Sequence, residues 1–279
     1  MTKIFSLTIV RLLRMQYIAI ATAVIVGYNW ISNSIMPPQP DYEPEEEEEE
    51  PDPPRNFTKE QLRSFDGTTT DRGEVKPVYL SLNGTVFDVS NGRDFYGPGG
   101  PYEVFAGREC GVALAKMSFD EEHLDDVKGC AELNFGEKSE LEGWTSKFQY
   151  YRGYPVMGKL VIDMPDPERK ITLEELAAQP GTTDEIPEGY AAAPIFVGVD
   201  GLVFDMSFGG VGFYGPGGPY AKFAGRDVTR ALALMKVDVA EEESADISDC
   251  TEKQIGIMKD WVKTFRERKQ YPVVGKLVK

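Results

Sequence analysis

From Met15 to Met36 the chain carries no charged residue, and Tyr17 to Ile31 is mostly apolar. A helix of that length, rising 1.5 Å per residue, crosses a bilayer. Tyr17, Tyr28 and Trp30 near its ends suit the two interfaces. The pattern predicts an N-terminal membrane anchor over residues 1–36. Its rival is a cleaved signal peptide, but the window is long for one and no small-x-small cleavage site precedes the prolines. Lys3, Arg11 and Arg14 precede the window, and the far flank has no positive residue before Arg55. Charge alone therefore places the N-terminus in the cytoplasm and the bulk of the chain in a lumen or outside. Residues 37–56 then hold Pro37, Pro38, Pro40 and the run Glu45 to Glu50. This is a self-repelling, extended linker rather than a core.

Beyond the linker, one programme of apolar and polar positions runs twice. Thr58 with Gln61 is a capping box that opens a short helix. Val78 to Leu82 and Thr85 to Val89, joined by Asn83-Gly84, predict a β-hairpin. A rigid loop follows, Tyr96-Gly97-Pro98-Gly99-Gly100-Pro101-Tyr102, and then a helix is expected over Glu103 to Lys116. An acidic stretch from Asp120 to Asp126, read as a solvated face, leads into helical residues through Trp144 and Phe148 and a last strand after Tyr154. After a linker at 162–170 the series restarts with the capping box Thr172/Glu175 and a hairpin over Pro194 to Met206. The same seven-residue loop returns as Tyr214 to Tyr220, followed by a helix through Met235, an acidic stretch, Trp261 and a closing strand after Tyr271. Phe87 and Phe204, Trp144 and Trp261, and Gly158 and Gly275 recur at a spacing of 117, but the loops recur at 118. The second copy therefore has one extra residue just before its loop. Helix, hairpin, loop, helices and strand in this order predict an α+β class. The boundaries read are an anchor at 1–36, a linker at 37–56, domains at 57–161 and 171–279, and a linker at 162–170.

A formal charge of −16 excludes a nucleic-acid partner, which needs clustered Lys and Arg, and allows an acidic face for a basic protein. Cys110, Cys130 and Cys250 form no metal-ligand spacing, although Cys130 and Cys250 fall at roughly matching places, so a disulfide between the copies is open. No nucleophile–base pair or phosphate loop appears, so no enzyme is expected. Each loop holds two tyrosines beside glycines that admit close approach of a flat ligand. Simple turns with packed tyrosines would look the same in isolation.

The residues Val86 to Ser90, Phe95 to Tyr102, Phe105 to Arg108 and the closing Gly158-Lys159-Leu160, with their second copies, resemble the membrane-associated progesterone receptor family. The resemblance implies two tandem cytochrome b5-like haem/steroid-binding domains behind the anchor, covering nearly all of 57–161 and 171–279. It implies non-covalent haem b with a tyrosinate on iron, Tyr102 in the first copy and Tyr220 in the second. Tyr96 and Tyr214 would assist by hydrogen bonding, and Tyr154 and Tyr271 would line the pocket. The basic residue usual just before the latter pair is replaced by Gly153 and Gln270. With His123 as its one histidine, read as a solvated helix residue, the chain cannot form a bis-histidine site in either copy. A tyrosinate favours ferric iron and leaves one face open, which suits a carrier, adaptor or modulator better than an electron shuttle. Cytochrome P450 or other membrane haem enzymes, steroids and other lipids are the partners implied. The membrane implied is the endoplasmic reticulum or another endomembrane. Its cytosolic side is the family's expectation and opposes the charge rule. The alternative is a steroid- or lipid-binding receptor or scaffold without haem. The first copy, with Arg93 near its loop to meet a propionate and fewer glycines there, is expected to hold haem more tightly.

Overall fold

Arg55 and Asn56, expected to end the linker, instead begin the first sheet. With Phe57 they form strand β1, which runs parallel to β4 (Val156–Leu160). Asn56 is buried because its amide is used in full, as described below. The computed structural model describes residues 53–182, 186–236 and 246–278. The expected anchor and most of the acidic linker lie outside these residues, and among the described ones no helix is long and apolar enough to cross a membrane. Asp52–Lys279 form one compact unit.

Strands β2 (Tyr79–Leu82) and β3 (Thr85–Asp88) form the expected hairpin, and β4 pairs with β3. The sheet order is β1-β4-β3-β2. β5 (Lys170–Thr172), β6 (Phe196–Val199), β7 (Leu202–Asp205) and β9 (Val273–Val278) repeat that order as β5-β9-β7-β6, with β8 (Arg226–Asp227) added beside β6. Both sheets shift register at the same point, between Val86 and Phe87 and between Val203 and Phe204. Both capping boxes form, on the helices Lys59–Arg63 and Leu173–Ala177. A longer capped helix in each half, Phe135–Ser146 or Glu252–Lys263, continues into a π-helical turn, Lys147–Tyr151 or Thr264–Arg268. That turn buries Phe148 or Phe265. These rings join Phe87 and Phe105, or Phe204 and Phe223, in the two main cores. Burying each contributes about 1.5–3 kcal/mol.

The helix expected over Glu103 to Lys116 is broken in two. A 3-10 turn at Glu103–Phe105 and a helix at Gly111–Ala115 flank an extended passage. There the N–H of Gly107 donates to Tyr79 O at 2.7 Å and that of Cys110 to Ser81 O at 2.9 Å. The buried Glu109 carboxylate accepts from Ser81 Oγ at 2.5 Å and from the N–H groups of Asn83, Gly84 and Gly111 at 2.8–3.0 Å. Pairing along the sheet edge outcompetes the helix. In the second half the same passage is β8, and its helix spans Thr229–Leu234 rather than reaching Met235.

Candidate functional site

The helix Arg93–Tyr96 ends on its own loop: the Gly97 N–H donates to Arg93 O at 2.7 Å. The Gly-Pro segment then doubles back, and the Tyr102 N–H donates to Phe95 O at 2.9 Å. This turn brings the rings of Tyr96 and Tyr102 to 5.9 Å between centroids. Tyr154, entering from the residues before β4, lies 6.4 Å from Tyr96. Phe148 floors the group, 5.8 Å from Tyr96 and 5.3 Å from Tyr154. The second half builds the same cluster. Tyr214 lies 5.7 Å from Tyr220 and 6.2 Å from Tyr271, over Phe265. All six expected tyrosines thus gather in two triads. A glycine is required behind each one. A Cβ on Gly92 would lie 2.5 Å from Tyr154 Oη, and one on Gly210 would lie 3.0 Å from Tyr271 Oη.

Burial pushes the phenols of Tyr96, Tyr154 and Tyr214 above their ordinary value. Burial also pushes Tyr271 up to about 12, against the opposing charge of Arg55. These four are therefore neutral hydrogen-bond donors at physiological pH. Tyr102 and Tyr220 stand half-buried at the open side of each triad.

The two clefts differ at their mouths. Phe119 stacks on Tyr102 and Phe105 at 5.9 and 5.4 Å, with interplanar angles of 20° and 8°, although half of it faces solvent. It covers the first cleft. The aligned residue in the second copy is Val237, outside the described residues. There, Tyr214, Tyr220, Phe223, Leu232, Met235 and Trp261 line a cavity of about 120 Å³, with Lys236 at its edge. A larger hollow of about 680 Å³ beside Lys138, Glu142 and Gln149 is lined by Tyr150 but by none of the six triad tyrosines.

Several expectations change. Arg93 does not face the cleft: its guanidinium donates to Gly67 O at 2.8 Å and Lys76 O at 2.6 Å. Gly153 and Gln270, where a basic residue was sought, have φ of 61° and 53°. The cation sits one residue earlier, with Arg152 5.8 Å from the Phe95 ring and Lys269 5.7 Å from the Phe213 ring. That one-residue displacement, common to both copies, was the signal in the sequence. The acidic stretch is not simply solvated. Asp125 is half-buried, with its side chain only 7% exposed, and is paired with Arg108 at 2.7 Å and with Arg63, so the last residue of the Phe-Ala-Gly-Arg motif anchors it. His123 lies in a 3-10 turn, half-buried, with Nδ1 2.9 Å from Ser118 Oγ. Its ring, with Asp120 and Glu122, brings three potential ligand atoms within 4.8 Å, but Lys116 Nζ 3.5 Å from Nε2 disfavours a cation there. Cys110, Cys130 and Cys250 are free thiols, so Cys130 and Cys250 are not bridged.

Residues 58–160 match the family described as "Cytochrome b5-like Heme/Steroid binding domain". "Probable steroid-binding protein 3" of Arabidopsis thaliana is 42% identical over 106 residues, which is 38% of this chain and 97% of that protein. "Membrane-associated progesterone receptor component 2" of Rattus norvegicus is 38% identical over 108 residues, and the match spans 46% of its length. A Schizosaccharomyces pombe protein named as a cytochrome P450 regulator is 36% identical over 112 residues, 38% of this chain and 63% of that protein.

Proposed function

Because this chain belongs, through residues 58–160, to the cytochrome b5-like heme/steroid-binding domain family, we propose that its tyrosine triads bind haem. Tyr102 and Tyr220 are the iron ligands in this reading, and the second half is a further copy of the same domain. The observation that carries it is the pairing in each triad of a phenol at the open side with neutral phenols behind it, of which Tyr154, Tyr214 and Tyr271 are buried and Tyr96 is partly buried. Tyr96 and Tyr214 would donate to the ligating oxygen, and Tyr154 and Tyr271 would close the inner wall.

The donor set fits the group. It offers phenol oxygens, flat aromatic walls, and a cation at the rim in Arg152 or Lys269. The stacking of Phe119 on Tyr102 marks a place where a planar π-surface lies flat. Held by a tyrosinate, the haem would supply a ferric centre. The module is not an enzyme but a haem carrier, adaptor or modulator. Its partner is a membrane haem enzyme of the cytochrome P450 class, in line with the names of its relatives. Residues 1–36 are its anchor in an endomembrane such as the endoplasmic reticulum in this reading. One observation favours a second reading, a steroid or lipid site without haem: the second cavity is walled by Leu232, Met235 and Trp261.

Hemin titration of the detergent-purified full chain decides between them. Two hemin equivalents and a Soret band are expected, with one equivalent lost in Tyr102→Phe and the other in Tyr220→Phe. An unchanged spectrum and stoichiometry in the double variant would rule out these ligands. Absence of a Soret band, together with steroid quenching of Trp261 fluorescence, would favour the second reading.

A further inference from the structure

The one-residue excess of the second copy has a place in the fold. Where the first copy has Asn91 alone before its Gly92, the second has Phe208-Gly209 before Gly210. That added turn receives the start of the first copy. The Asn56 N–H donates to Ser207 O at 3.0 Å, and its side-chain amide donates to Ser207 Oγ at 2.8 Å and Ala192 O at 3.0 Å. Asn56 Oδ1 accepts from the N–H groups of Ala191 and Ala192 at 2.7 and 3.3 Å. Gly209 has φ of 110°, and a Cβ there would lie 2.7 Å from the Arg55 guanidinium carbon. The positive φ is what favours glycine here, since the guanidinium is the movable end of a flexible side chain.

Gln61 carries the contact to the second cleft. Its Oε1 accepts from the Thr58 N–H at 3.2 Å to complete the capping box. Its Nε2 donates to Phe208 O at 2.8 Å and to Gln270 O at 3.1 Å. Phe208 lies two residues before Gly210, which backs Tyr214 and Tyr271, and Gln270 immediately precedes Tyr271. One buried amide therefore ties together both segments that form the inner wall of the second triad. Gln270 also holds a left-handed conformation that is unfavourable for a side chain other than glycine. In the first copy that position is Gly153, and no such tie is seen among the described residues. The second copy's capping residue is Glu175, a carboxylate that cannot donate, and it is exposed.

We propose that the second cleft is a composite site, whose Tyr214–Tyr271 wall is positioned by Gln61 and Asn56 of the first copy. Ligand in that cleft is thereby coupled to the junction between the copies. Linkage makes the coupling reciprocal: a ligand that needs the wall in place tightens the junction. Gln61 is a positioning residue that touches no ligand. The inference rests on the reading of this cleft as a ligand site.

Gln61→Glu isolates the effect, because a carboxylate keeps the cap but cannot donate to two carbonyls. In the full chain carrying Tyr102→Phe, hemin titration reads the second cleft, and adding Gln61→Glu is expected to weaken it at least tenfold. In the chain carrying Tyr220→Phe, the same change is expected to leave the first cleft within about twofold, and Glu175→Gln to leave both unchanged. Unchanged binding in the second cleft, or equal weakening in both, overturns the proposal. Hydrogen exchange without ligand gives an independent readout. Amides of 206–211 and 270–272 should exchange faster in Gln61→Glu, while those of 89–96 should not. If the parent chain takes up no hemin, the haem reading fails while exchange still judges the positioning, and unchanged exchange sinks it. If Gln61→Glu loses far-UV circular dichroism, Gln61→Met, which keeps the volume without the amide, takes its place in both measurements.

Discussion

Phe119 shows how one side chain distinguishes two otherwise matching clefts. It spends half of its surface in solvent while stacking on Tyr102 and Phe105. A ligand entering the first cleft must displace it. Aromatic pairs contribute about 0.5–1.5 kcal/mol each, so this displacement costs roughly a tenfold factor in affinity. Phe119→Ala is expected to raise hemin affinity of the first cleft by about that factor, read in the chain carrying Tyr220→Phe. Weaker binding would show that the ring clasps the ligand instead of covering its place. Nothing in the residue order marks Phe119, because it lies seventeen residues after Tyr102 in a stretch that reads as an acidic surface. The expectation of a tighter first copy rested on fewer glycines before its loop and on Arg93, and Arg93 is committed to backbone carbonyls elsewhere.

At the scale of elements, the end of β7 carries a titratable carboxyl inside the core. Asp205 is fully buried; its Oδ1 accepts from the N–H groups of Ile195 at 3.1 Å and Ser207 at 2.9 Å. Burial pushes its carboxyl from 3.8 up to about 6 in spite of these donors. The folded value lies above the unfolded one, so the fold favours the protonated form. This contribution is present in full below about pH 4 and is lost as pH rises through about 6, with a size of roughly 3 kcal/mol for a two-unit displacement. Other carboxylates have the opposite sign: for Asp125, burial is outweighed by Arg108, and its value falls. The informative quantity is therefore a difference. Stability of Asp205→Asn minus that of the parent should rise between pH 4 and pH 7. A difference independent of pH would show that Asp205 is ionised throughout. The short capped helices, both hairpins and the closing strands follow from the pattern along the chain, since caps and two-residue turns are local. The helix expected over Glu103 to Lys116 does not form, because the chain beside β2 supplies partners for Gly107, Cys110 and Glu109.

Across the whole described unit, buried polar contacts join the two halves. Asn56→Ala would leave Ala191 N, Ala192 O and Ser207 Oγ without their partner, at about 1–3 kcal/mol for each group left unsatisfied. Trp144 and Trp261 report one half each. Urea unfolding of Trp144→Phe and Trp261→Phe chains is expected to give coincident midpoints. With Asn56→Ala added, the midpoint reported by Trp261 should fall below the one reported by Trp144. Midpoints already separate in the parent would mean that the halves unfold independently.

The residue order alone determined the duplicated programme, the α+β class and the six tyrosines, because caps, hairpin turns and Gly-Pro loops are set by neighbours in the chain. It also showed the extra residue of the second copy, without its use. Tertiary structure alone decided that Phe208-Gly209 receive Asn56 and Gln61, that Arg93 turns away from the cleft, and that Arg152 and Lys269 turn toward the rim aromatics. Each of these depends on which buried carbonyl or ring lies within reach of a side chain. Those partners stand up to 209 residues apart in sequence, a separation over which spacing along the chain carries no information.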